Sequence, residues 1–396
     1  MSDNKKPNIR FKGYSDDWEQ RKAIDIADYS KGNGYSKGDL IDVGTPIILY
    51  GRLYTKYQFA ISEVDTFAVP RNGAVYSQGN EVIVPASGET AEDIARASAV
   101  EKSGVLLGGD LNILRPFDFI NPLFLALAIS NGEPQKELAK KAQGKSVVHI
   151  HNTDIQEVTI AYPSRTEQDR IVSVFRQLDH LITLHQRKYD KLQTLKKAML
   201  EKMFPKNGSS VPEIRFKGFT DAWEQRKLSE MCGTFEYGLN VAAKEFDGKN
   251  KYIRITDIDD ASREFLLSDL SSPDICLDGM SKYLLSSGDI VFARTGASVG
   301  KTYIYRENDG IVYFAGFLIR AKVNQDNDAE FVFQSTLSPS YEKYIRITSQ
   351  RSGQPGVNAQ EYGEYDLFAP SKEEQQRIGQ FLRGIDNLIT LHQRKP

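Results

Sequence analysis

The stretch "LITLHQRK" occupies residues 181–188 and returns, letter for letter, at residues 388–395. The matching extends outward from it. The run from Pro163, "PSRTEQDRIVSVFRQLDHLITLHQRK", agrees with the run from Pro370 at sixteen of twenty-six positions. An offset of 207 residues is far too long for a solenoid repeat and indicates a duplicated domain.

A second matching pair lies near the start of each half. "IRFKGYSDDWEQRK" from Ile9 agrees with "IRFKGFTDAWEQRK" from Ile214 at eleven of fourteen positions. Between the matched segments, Gly and Pro separate short apolar runs such as "EVIVP" and "GDIVFA", which is typical of short strands and turns. A helix is expected around Pro122 to Ser130. The pattern predicts an α+β fold, with two similar globular domains separated by long coiled-coil helices and related by a pseudo-twofold internal repeat.

The expected organisation has six parts. They are a shared N-terminal segment (1–22), a first globular domain (23–162), a central helix (163–206), a shared linker (207–227), a second globular domain (228–369) and a C-terminal helix (370–396). After its matched stretch the first helix continues "YDKLQTLKKAMLEKMFP", whereas the second copy reaches only Pro396. The second helix is therefore expected to be shorter than the first by about seventeen residues.

The repeated segment has the apolar spacing of a long helix with one stripe. The stripe advances by four and three residues in turn, which is the spacing of a coiled-coil seam. Beyond Leu192 it is expected to shift phase to Leu195, Met199 and Met203, in a helix from about Arg165 to Phe204. Both stripes place a histidine at the same step, which indicates a polar position that fixes register rather than a metal ligand. The predicted seam comprises Ile171, Phe175, Leu178, Ile182, His185, Tyr189 and Leu192, with Ile378, Leu382, Ile385, Ile389 and His392 in the second copy.

Composition indicates an ordinary globular protein. With 396 residues, 40% hydrophobic and 26% charged, the chain can bury two cores. The first residues, "MSDNKKPNIR", do not form a signal peptide, and no apolar run could span a bilayer, so a cytoplasmic protein is expected. Cys232 and Cys276 have no neighbouring Cys or His ligands, which favours two buried free thiols over a disulfide or a zinc site.

The charge distribution is uneven. The formal net charge is −2, which is unlike the basic domains that usually bind DNA. Residues 165–206 hold ten Lys and Arg against five Asp and Glu, whereas residues 228–369 hold fourteen against twenty-one. If the chain binds nucleic acid, local basic patches or a partner must supply much of the phosphate contact.

One loop resembles a nucleotide-binding motif. "TGASVGKT", from Thr295 to Thr302, is similar to a phosphate-binding P-loop, but the first glycine of that motif stands one place too late, at Gly296. The first half has the same strand and turn, "NEVIVPASG", without the Gly-Lys pair. A turn that presents side chains is favoured, and a nucleotide site remains an alternative.

Other catalytic signals are weak. "INPLF" at 120–124 lacks the second proline of the motif with which amino-methyltransferases hold a flipped base, and Pro122 is expected at the first turn of a helix. His149 and His151 lie two apart with no evident nucleophile. The sequence therefore predicts no catalytic residues, no metal ligands and no enzyme activity of its own.

The order of these motifs resembles a known family. The order is an "IRFKG…W" segment, a variable domain and a helix beginning "P-S-x-x-E-Q-x-R-I", and it occurs twice over the whole chain. The second variable domain carries "GDIVFARTGASVGK", of which the first has only the strand and turn. This order is similar to that of the specificity subunit of Type I restriction-modification systems. The resemblance implies that each globular domain is a target recognition domain for one half of a split double-stranded DNA target.

The resemblance also implies partners. In that family the helices set the spacing of the half-targets and dock two modification subunits, which carry out adenine methylation, while restriction subunits join for cleavage. S-adenosylmethionine, ATP and Mg²⁺ are then expected on the partner subunits and no cofactor on this chain. Two alternatives remain: a P-loop-like nucleotide-binding protein, and a helical scaffold that does not read DNA.

Candidate DNA contacts follow from side-chain chemistry. Arg and Lys donate to guanine, Asn and Gln pair with adenine, and hydroxyl groups serve bases or phosphates. The candidates in the first half are Arg52, Tyr54, Thr55, Lys56, Tyr57, Ser87, Lys145 and Ser146. Those in the second half are Arg254, Thr256, Arg294, Thr295, Ser298, Lys301, Arg351, Gln354 and Asn358.

Overall fold

The computed structural model of the chain describes residues 7–144, 147–206, 209–350 and 353–393. The chain divides into two compact units, Met1–Leu181 and Ile182–Pro396. The division falls within the long helix that joins them, inside the first copy of the repeated stretch. Each unit mixes sheets with helices, which confirms the α+β class.

The first unit is built mainly from short strands. The strands are β1 (Glu19–Lys22), β2 (Ala27–Lys31), β3 (Thr45–Ile48), β4 (Ala60–Ile61), β5 (Phe67–Ala68), β6 (Tyr76–Gln78), β7 (Glu81–Pro85), β8 (Ser87–Gly88), β9 (Ser98–Val100), β10 (Ser103–Leu107), β11 (Leu111–Pro116), β12 (Val148–His149) and β13 (Thr159–Tyr162). The helices are α1 (Arg52–Thr55), α2 (Ala91–Ile94), α3 (Pro122–Ile129), α4 (Gly132–Lys141), α5 (Asn152–Gln156) and α6 (Arg165–Lys202), which continues into the second unit.

The core of the first unit lies around one central strand. Its five-stranded sheet has the order β2-β11-β7-β9-β4, and a four-stranded sheet has the order β5-β3-β10-β6. All five residues of β7 are buried, with Val82 and Val84 in one apolar cluster and Ile83 in another, as expected for a strand covered on both faces. Asn121 caps α3 by accepting from two of its first amides, which confirms the predicted helix start at Pro122.

The second unit repeats this mixture. Its strands are β14 (Glu224–Lys227), β15 (Cys232–Tyr237), β16 (Ala243–Glu245), β17 (Lys251–Ile253), β18 (Ser271–Pro273), β19 (Ile290–Ala293), β20 (Thr302–Ile304), β21 (Val312–Phe314), β22 (Leu318–Val323) and β23 (Asp366–Ala369). Its helices, besides the end of α6, are α7 (Leu228–Met231), α8 (Ala329–Ser335), α9 (Pro339–Thr348), α10 (Ala359–Gly363) and α11 (Lys372–Gln393). The largest sheet has the order β15-β22-β19-β20.

The repeated sequence motifs form the same anchor in both units. Arg10 of "IRFKG" donates two hydrogen bonds, at 2.8 and 2.7 Å, to the buried carboxylate of Glu167 in the first turn of α6. Arg215 makes the same pair of bonds, both at 2.7 Å, to Glu374 in α11. Bidentate Arg–carboxylate pairs have strict geometry. The two motifs are therefore matched because they fix the start of each long helix to its own unit.

The glutamine of the helix signature makes a second anchor. In the first unit Gln168 donates to the carbonyl of Pro163 at 2.9 Å and accepts from the amide of Asn121 at 2.7 Å. In the second unit Gln375 donates to Pro370 at 2.9 Å and accepts from Asp328 at 3.0 Å. The "P-S-x-x-E-Q" signature thus has a structural role that the sequence did not reveal.

One expectation about the cysteines is wrong. Both thiols are free, but only Cys232 is buried, and burial raises its pKa to about 12. Cys276 is exposed because it lies in a surface loop after β18 instead of on a core strand.

Candidate nucleic-acid interface

The turn after β19 in the second unit is fixed by its own hydrogen bonds. The amides of Gly296, Val299, Gly300 and Lys301 each donate to an oxygen atom of the same unit, at 3.0–3.1 Å. Gly300 has a φ of 83° and leaves no room for a β-carbon against Ile345. A P-loop holds phosphate with free backbone amides. Since these four amides are occupied, they are not available to a phosphate, which counts against the nucleotide-binding alternative.

Side chains on this turn are presented toward an exposed loop. The half-buried guanidinium of Arg294 lies 5.0 Å from the ring centre of Tyr237, in a cation–π contact, and donates no hydrogen bond to the described residues. Thr295 forms a β-bridge with Gly356. The amide of Gln354 lies beside Gly296 of the turn, whereas Ser298 is buried. We call Arg294, Thr295 and Gln354 the second reading cluster.

Other candidates in the second unit are engaged locally. Arg254 donates to both carboxylate oxygens of Asp257, at 2.8 and 2.9 Å, and Thr256 donates to the same carboxylate at 3.1 Å. The side chain of Asn358 caps α10 by accepting from the amide of Glu361 at 2.9 Å. These side chains therefore stabilise local structure, whether or not they also contact DNA. Arg351 lies outside the described residues.

The first unit has a corresponding cluster around Ser87. The Ser87 hydroxyl lies 3.1 Å from Nδ1 of His149, across the short ladder of β8 and β12. The hydroxyl of Tyr54 donates to the Ser87 carbonyl. We call Tyr54, Ser87 and His149 the first reading cluster. Two further candidates, Lys145 and Ser146, lie outside the described residues.

The two reading clusters occupy equivalent places and carry different chemistry. Ser87 follows the buried strand β7, and Thr295, 208 positions later, follows the buried strand β19. Each pairs with a later segment of its own unit, at His149 of β12 in the first and at Gly356 in the second. A shared backbone frame thus presents Ser, Tyr and His in one unit and Arg, Thr and Gln in the other.

The remaining candidates of the first unit form a separate group on and after α1. Arg52 and Lys56 both bond to the Asp65 carboxylate and lower its pKa, Lys56 having the larger effect. Thr55 donates back into its helix at 3.1 Å, and the Tyr57 hydroxyl donates toward a core carbonyl at 3.3 Å. The positive charges of Arg52 and Lys56 are thus partly neutralised by Asp65, which makes these residues weaker candidates for phosphate contacts.

Sequence reasoning missed His149 and Tyr237. The sequence marks His149 only by its spacing from His151, and its contact with Ser87 joins residues 62 apart in the sequence. A Ser–His pair invites a comparison with a nucleophilic site, which also needs a third group that orients the histidine. Among the described residues, no carboxylate bonds to the His149 ring. Nothing in the sequence pointed to Tyr237.

In the second unit the two long helices pack antiparallel. Nδ1 of His185 on α6 lies 2.9 Å from Nδ1 of His392 on α11, and farther along α6 Lys196 pairs with Asp386. The apolar side chains between and beyond these contacts form one core. Four predicted seam residues of α11 are buried in it: Ile378, Leu382, Ile385 and Ile389.

The expected shift of the α6 stripe is wrong. Leu195 is exposed, and Lys196 takes its place in the stripe. Met199 and Met203 lie in the stripe as expected, but they follow Leu192 and Lys196 without a change of phase. Lys196 fits at this step because its methylene stem is covered while its ammonium pairs with Asp386.

The stripe is covered on α11 but not on the equivalent part of α6. Phe175, Leu178 and Ile182 are 44%, 48% and 57% exposed. Their counterparts 207 positions later, in the α11 seam, are at most 5% exposed. These three residues belong to the predicted seam and remain unpaired with any helix among the described residues.

The repeated stretch also carries leucines that lie off the seam. Leu181 and Leu184 are exposed in the first copy, and their counterparts Leu388 and Leu391 are exposed in the second. Isolated exposed leucines are ordinary, but here the same two are exposed in both copies, so neither pair belongs to the core formed by the described residues.

The described residues contain no helix suited to crossing a membrane. Within the same residues, His, Cys, Asp and Glu nowhere gather in a group of three that could ligate a metal ion.

The comparisons with known proteins agree with this architecture. The family model described as "Type I restriction modification DNA specificity domain" matches residues 15–194 and 220–396. A relative, the Type I restriction enzyme MjaVIII specificity subunit of Methanocaldococcus jannaschii, is 22% identical over 392 residues, covering 96% of this chain and 88% of its own.

Two solved structures share the fold. One is the Type I restriction-modification system S subunit from M. genitalium, with a TM-score of 0.60 and 16% identity, over 98% of this chain and 93% of that one. Another comes from work on complex assembly and conformational transition of the Type I R-M system, with a TM-score of 0.52 and 15% identity, over 97% and 93% of the two chains.

The two similar units and their matched helix anchors define a duplicated, two-unit α+β protein. The two matches to the family model together cover most of the chain. The protein therefore belongs to the family of Type I restriction-modification DNA specificity proteins. It is accordingly the DNA-recognition subunit of such a system and its non-catalytic component.

Proposed function

We propose that the two units read different halves of one split DNA target. The observation that carries the proposal is the contrast between matched anchors and divergent reading clusters. The Arg10–Glu167 and Arg215–Glu374 pairs have the same geometry, whereas the equivalent turns present different side chains. Base identity is read by side-chain donors and acceptors, so different side chains on one frame favour different half-targets. We place the two target recognition domains at 23–162 and 228–369.

The repeated stretch supports a proposal about partners. A protein with two equivalent surfaces can bind two identical subunits in equivalent ways. The exposed leucine pairs, Leu181 with Leu184 and Leu388 with Leu391, are the matched apolar features of the two copies. We place the docking of two modification subunits there. Those subunits carry the S-adenosylmethionine for adenine methylation, and restriction subunits, with ATP and Mg²⁺, join them for cleavage.

The central helix is proposed to set the distance between the two half-targets. α6 has 38 residues and joins the two units without interruption. At about 1.5 Å per residue its length is about 57 Å. A continuous helix transmits a change in its own length without a flexible joint, which suits a spacing element.

The test is methylation mapping with a variant of the second reading cluster. Replacing Arg294 by Ala in the assembled modification complex should relax or change one half of the methylated target. The other half should be unchanged, because Ser87 and its neighbours lie in the other unit. A helical scaffold that does not read DNA predicts an unchanged methylation pattern, and that result would refute the proposal. A nucleotide-binding protein predicts that Lys301→Ala abolishes nucleotide binding by the chain.

A further inference from the structure

A basic cleft of about 610 Å³ opens in the second unit beside the turn after β19. Its walls come from the end of α6, the loop at 260–263, the turn at 297–301 and α9. Cationic side chains outnumber carboxylates in its lining. The cations are Lys196, Lys197, Arg263, Lys301 and Arg346, and the carboxylates are Asp260 and Glu342. The cleft is therefore basic although residues 228–369 as a whole are acidic.

Arg263 is the most unusual residue of this cleft. Its φ of 60° lies in the left-handed region, which residues other than glycine seldom adopt. Among the described residues, its buried Nη1 atom has no hydrogen-bond partner and no carboxylate forms an ion pair with its guanidinium. A buried donor without an acceptor has lost its hydration without compensation. A strained backbone that holds such a donor at a cleft favours an acceptor from a bound ligand.

Lys301 is a second donor that a ligand can recruit. Its side chain is mostly covered, and its ammonium lies 2.5 Å from Asp260, whose side chain is almost fully exposed. Ion pairs of this kind contribute little to stability because water competes with them. The lysine is held in place while the aspartate is free to turn away, so an anion can replace the carboxylate at the ammonium.

We propose that this cleft binds a backbone phosphate of DNA, with Arg263 and Lys301 as its principal donors. The proposal rests on the proposed function and adds to it a contact that fixes position instead of sequence. Arg294 and Thr295, at the start of the same turn, belong to the second reading cluster. Phosphate contacts set the register in which neighbouring side chains meet the bases. The planar fork of arginine suits phosphate oxygens.

Several cationic side chains line the cleft, but they are not expected to contribute equally to phosphate binding. Lys196 already pairs with the partly buried Asp386, so its charge is largely committed to the helix pair. Lys197 and Arg346 are exposed and add to the local positive potential without a fixed geometry. Four backbone amides of the turn, at 296 and 299–301, are occupied, so the proposed donors are side chains. Loss of Arg263 should therefore remove about one phosphate contact.

The test measures DNA affinity of the full chain against salt concentration. A random-sequence duplex is sufficient, because a phosphate contact is independent of sequence, and affinity is read by fluorescence anisotropy. Arg263→Gln should weaken binding about tenfold and reduce the magnitude of the slope of log K against log salt by about 0.9, as expected for one lost contact. Arg263→Lys should retain the slope. Asp260→Asn should tighten binding, because it releases Lys301.

The two substitutions should change DNA affinity in opposite directions: Arg263→Gln weakens binding and Asp260→Asn tightens it. A folding defect cannot explain both results, since misfolding does not tighten binding. Lys343→Gln is the matched control, because Lys343 lies on α9 but outside the cleft, and it should change neither affinity nor slope. A free phosphate-containing anion could occupy the same cleft in place of a DNA phosphate. Calorimetry with inorganic phosphate and with ATP should show no binding that depends on Arg263. If it does show such binding while DNA affinity stays unchanged, the DNA assignment is overturned.

Failure of this inference can be told from failure of the proposed function. If Arg263→Gln and Asp260→Asn both leave DNA affinity and slope unchanged, the phosphate site is refuted. In that case Arg294→Ala should still alter one half-target, because Arg294 does not line this cleft. If Arg294→Ala also leaves the methylation pattern unchanged, the proposed reading function fails with it.

Discussion

Lengthening α6 by one heptad should widen the gap between the half-targets without changing their sequences. The best place is between Leu181 and Ile182, because each compact unit then keeps all of its internal contacts. Duplicating the seven residues 175–181, "FRQLDHL", leaves one intact copy of "LITLHQRK" after the insertion. Seven residues add about 10.5 Å at 1.5 Å per residue and turn the helix by about 20° from its original phase.

At about 3.4 Å per base step, the added length corresponds to at most about three base pairs. The upper limit applies if the helix axis follows the DNA axis, and any inclination reduces it. The assay is sequencing of methylated positions in DNA from cells that carry the variant and its partner subunits. A four-residue insertion at the same place is the control, since it adds about 6 Å but turns the helix by about 40°. An unchanged gap with full methylation by the heptad variant would show that α6 does not set the spacing.

Three further predictions concern the helix pair and the isolated chain. Leu382→Ala, at a fully buried seam position, should destabilise the second unit by about 2–5 kcal/mol, whereas its exposed counterpart Phe175→Ala should cost less than about 1 kcal/mol in urea unfolding. Desolvation, with smaller effects of Lys188 and His185, lowers the pKa of His392, so the unfolded chain binds this proton more readily than the folded one. Stability should therefore fall as the pH drops below 6.5 through the lowered pKa, and a pH series of unfolding curves should show a weaker dependence for His392→Asn. The rigorously purified chain alone should neither methylate nor cleave DNA, and turnover by such a preparation would contradict its assignment as the non-catalytic component.

The duplication and the long helices could be predicted because their signals lie in the order of residues. Identical residues at a fixed offset, and apolar residues spaced three and four apart, can both be recognised without a structure. The phase error at Leu195 shows the limit of this reasoning. Lys196 occupies the seam because Asp386 of another helix accepts its charge. A stripe read along one helix cannot identify a lysine that is paired across the helix interface.

The candidate DNA contacts follow from side-chain chemistry alone. The structure shows which of them are engaged in local hydrogen bonds and which are not. Asn358 and Glu361 have the spacing of a capping box, so the sequence did contain a sign that Asn358 caps a helix. Arg254 and Asp257 likewise lie three residues apart. No comparable sign marked Arg263, because its importance comes from a backbone angle and an absent partner. Residues that meet only through folding, such as Ser87 and His149, could not have been paired from the sequence.

The most direct test of the central claim is an exchange of one reading domain. Residues 23–162 are replaced by the equivalent region of a specificity subunit with a different target, and the methylated sequences are mapped in the assembled complex. We expect one half of the target to change to that of the donor, while the other half and the gap remain as before. A change in both half-targets, or in neither, would contradict the assignment of one unit to one half of the DNA target.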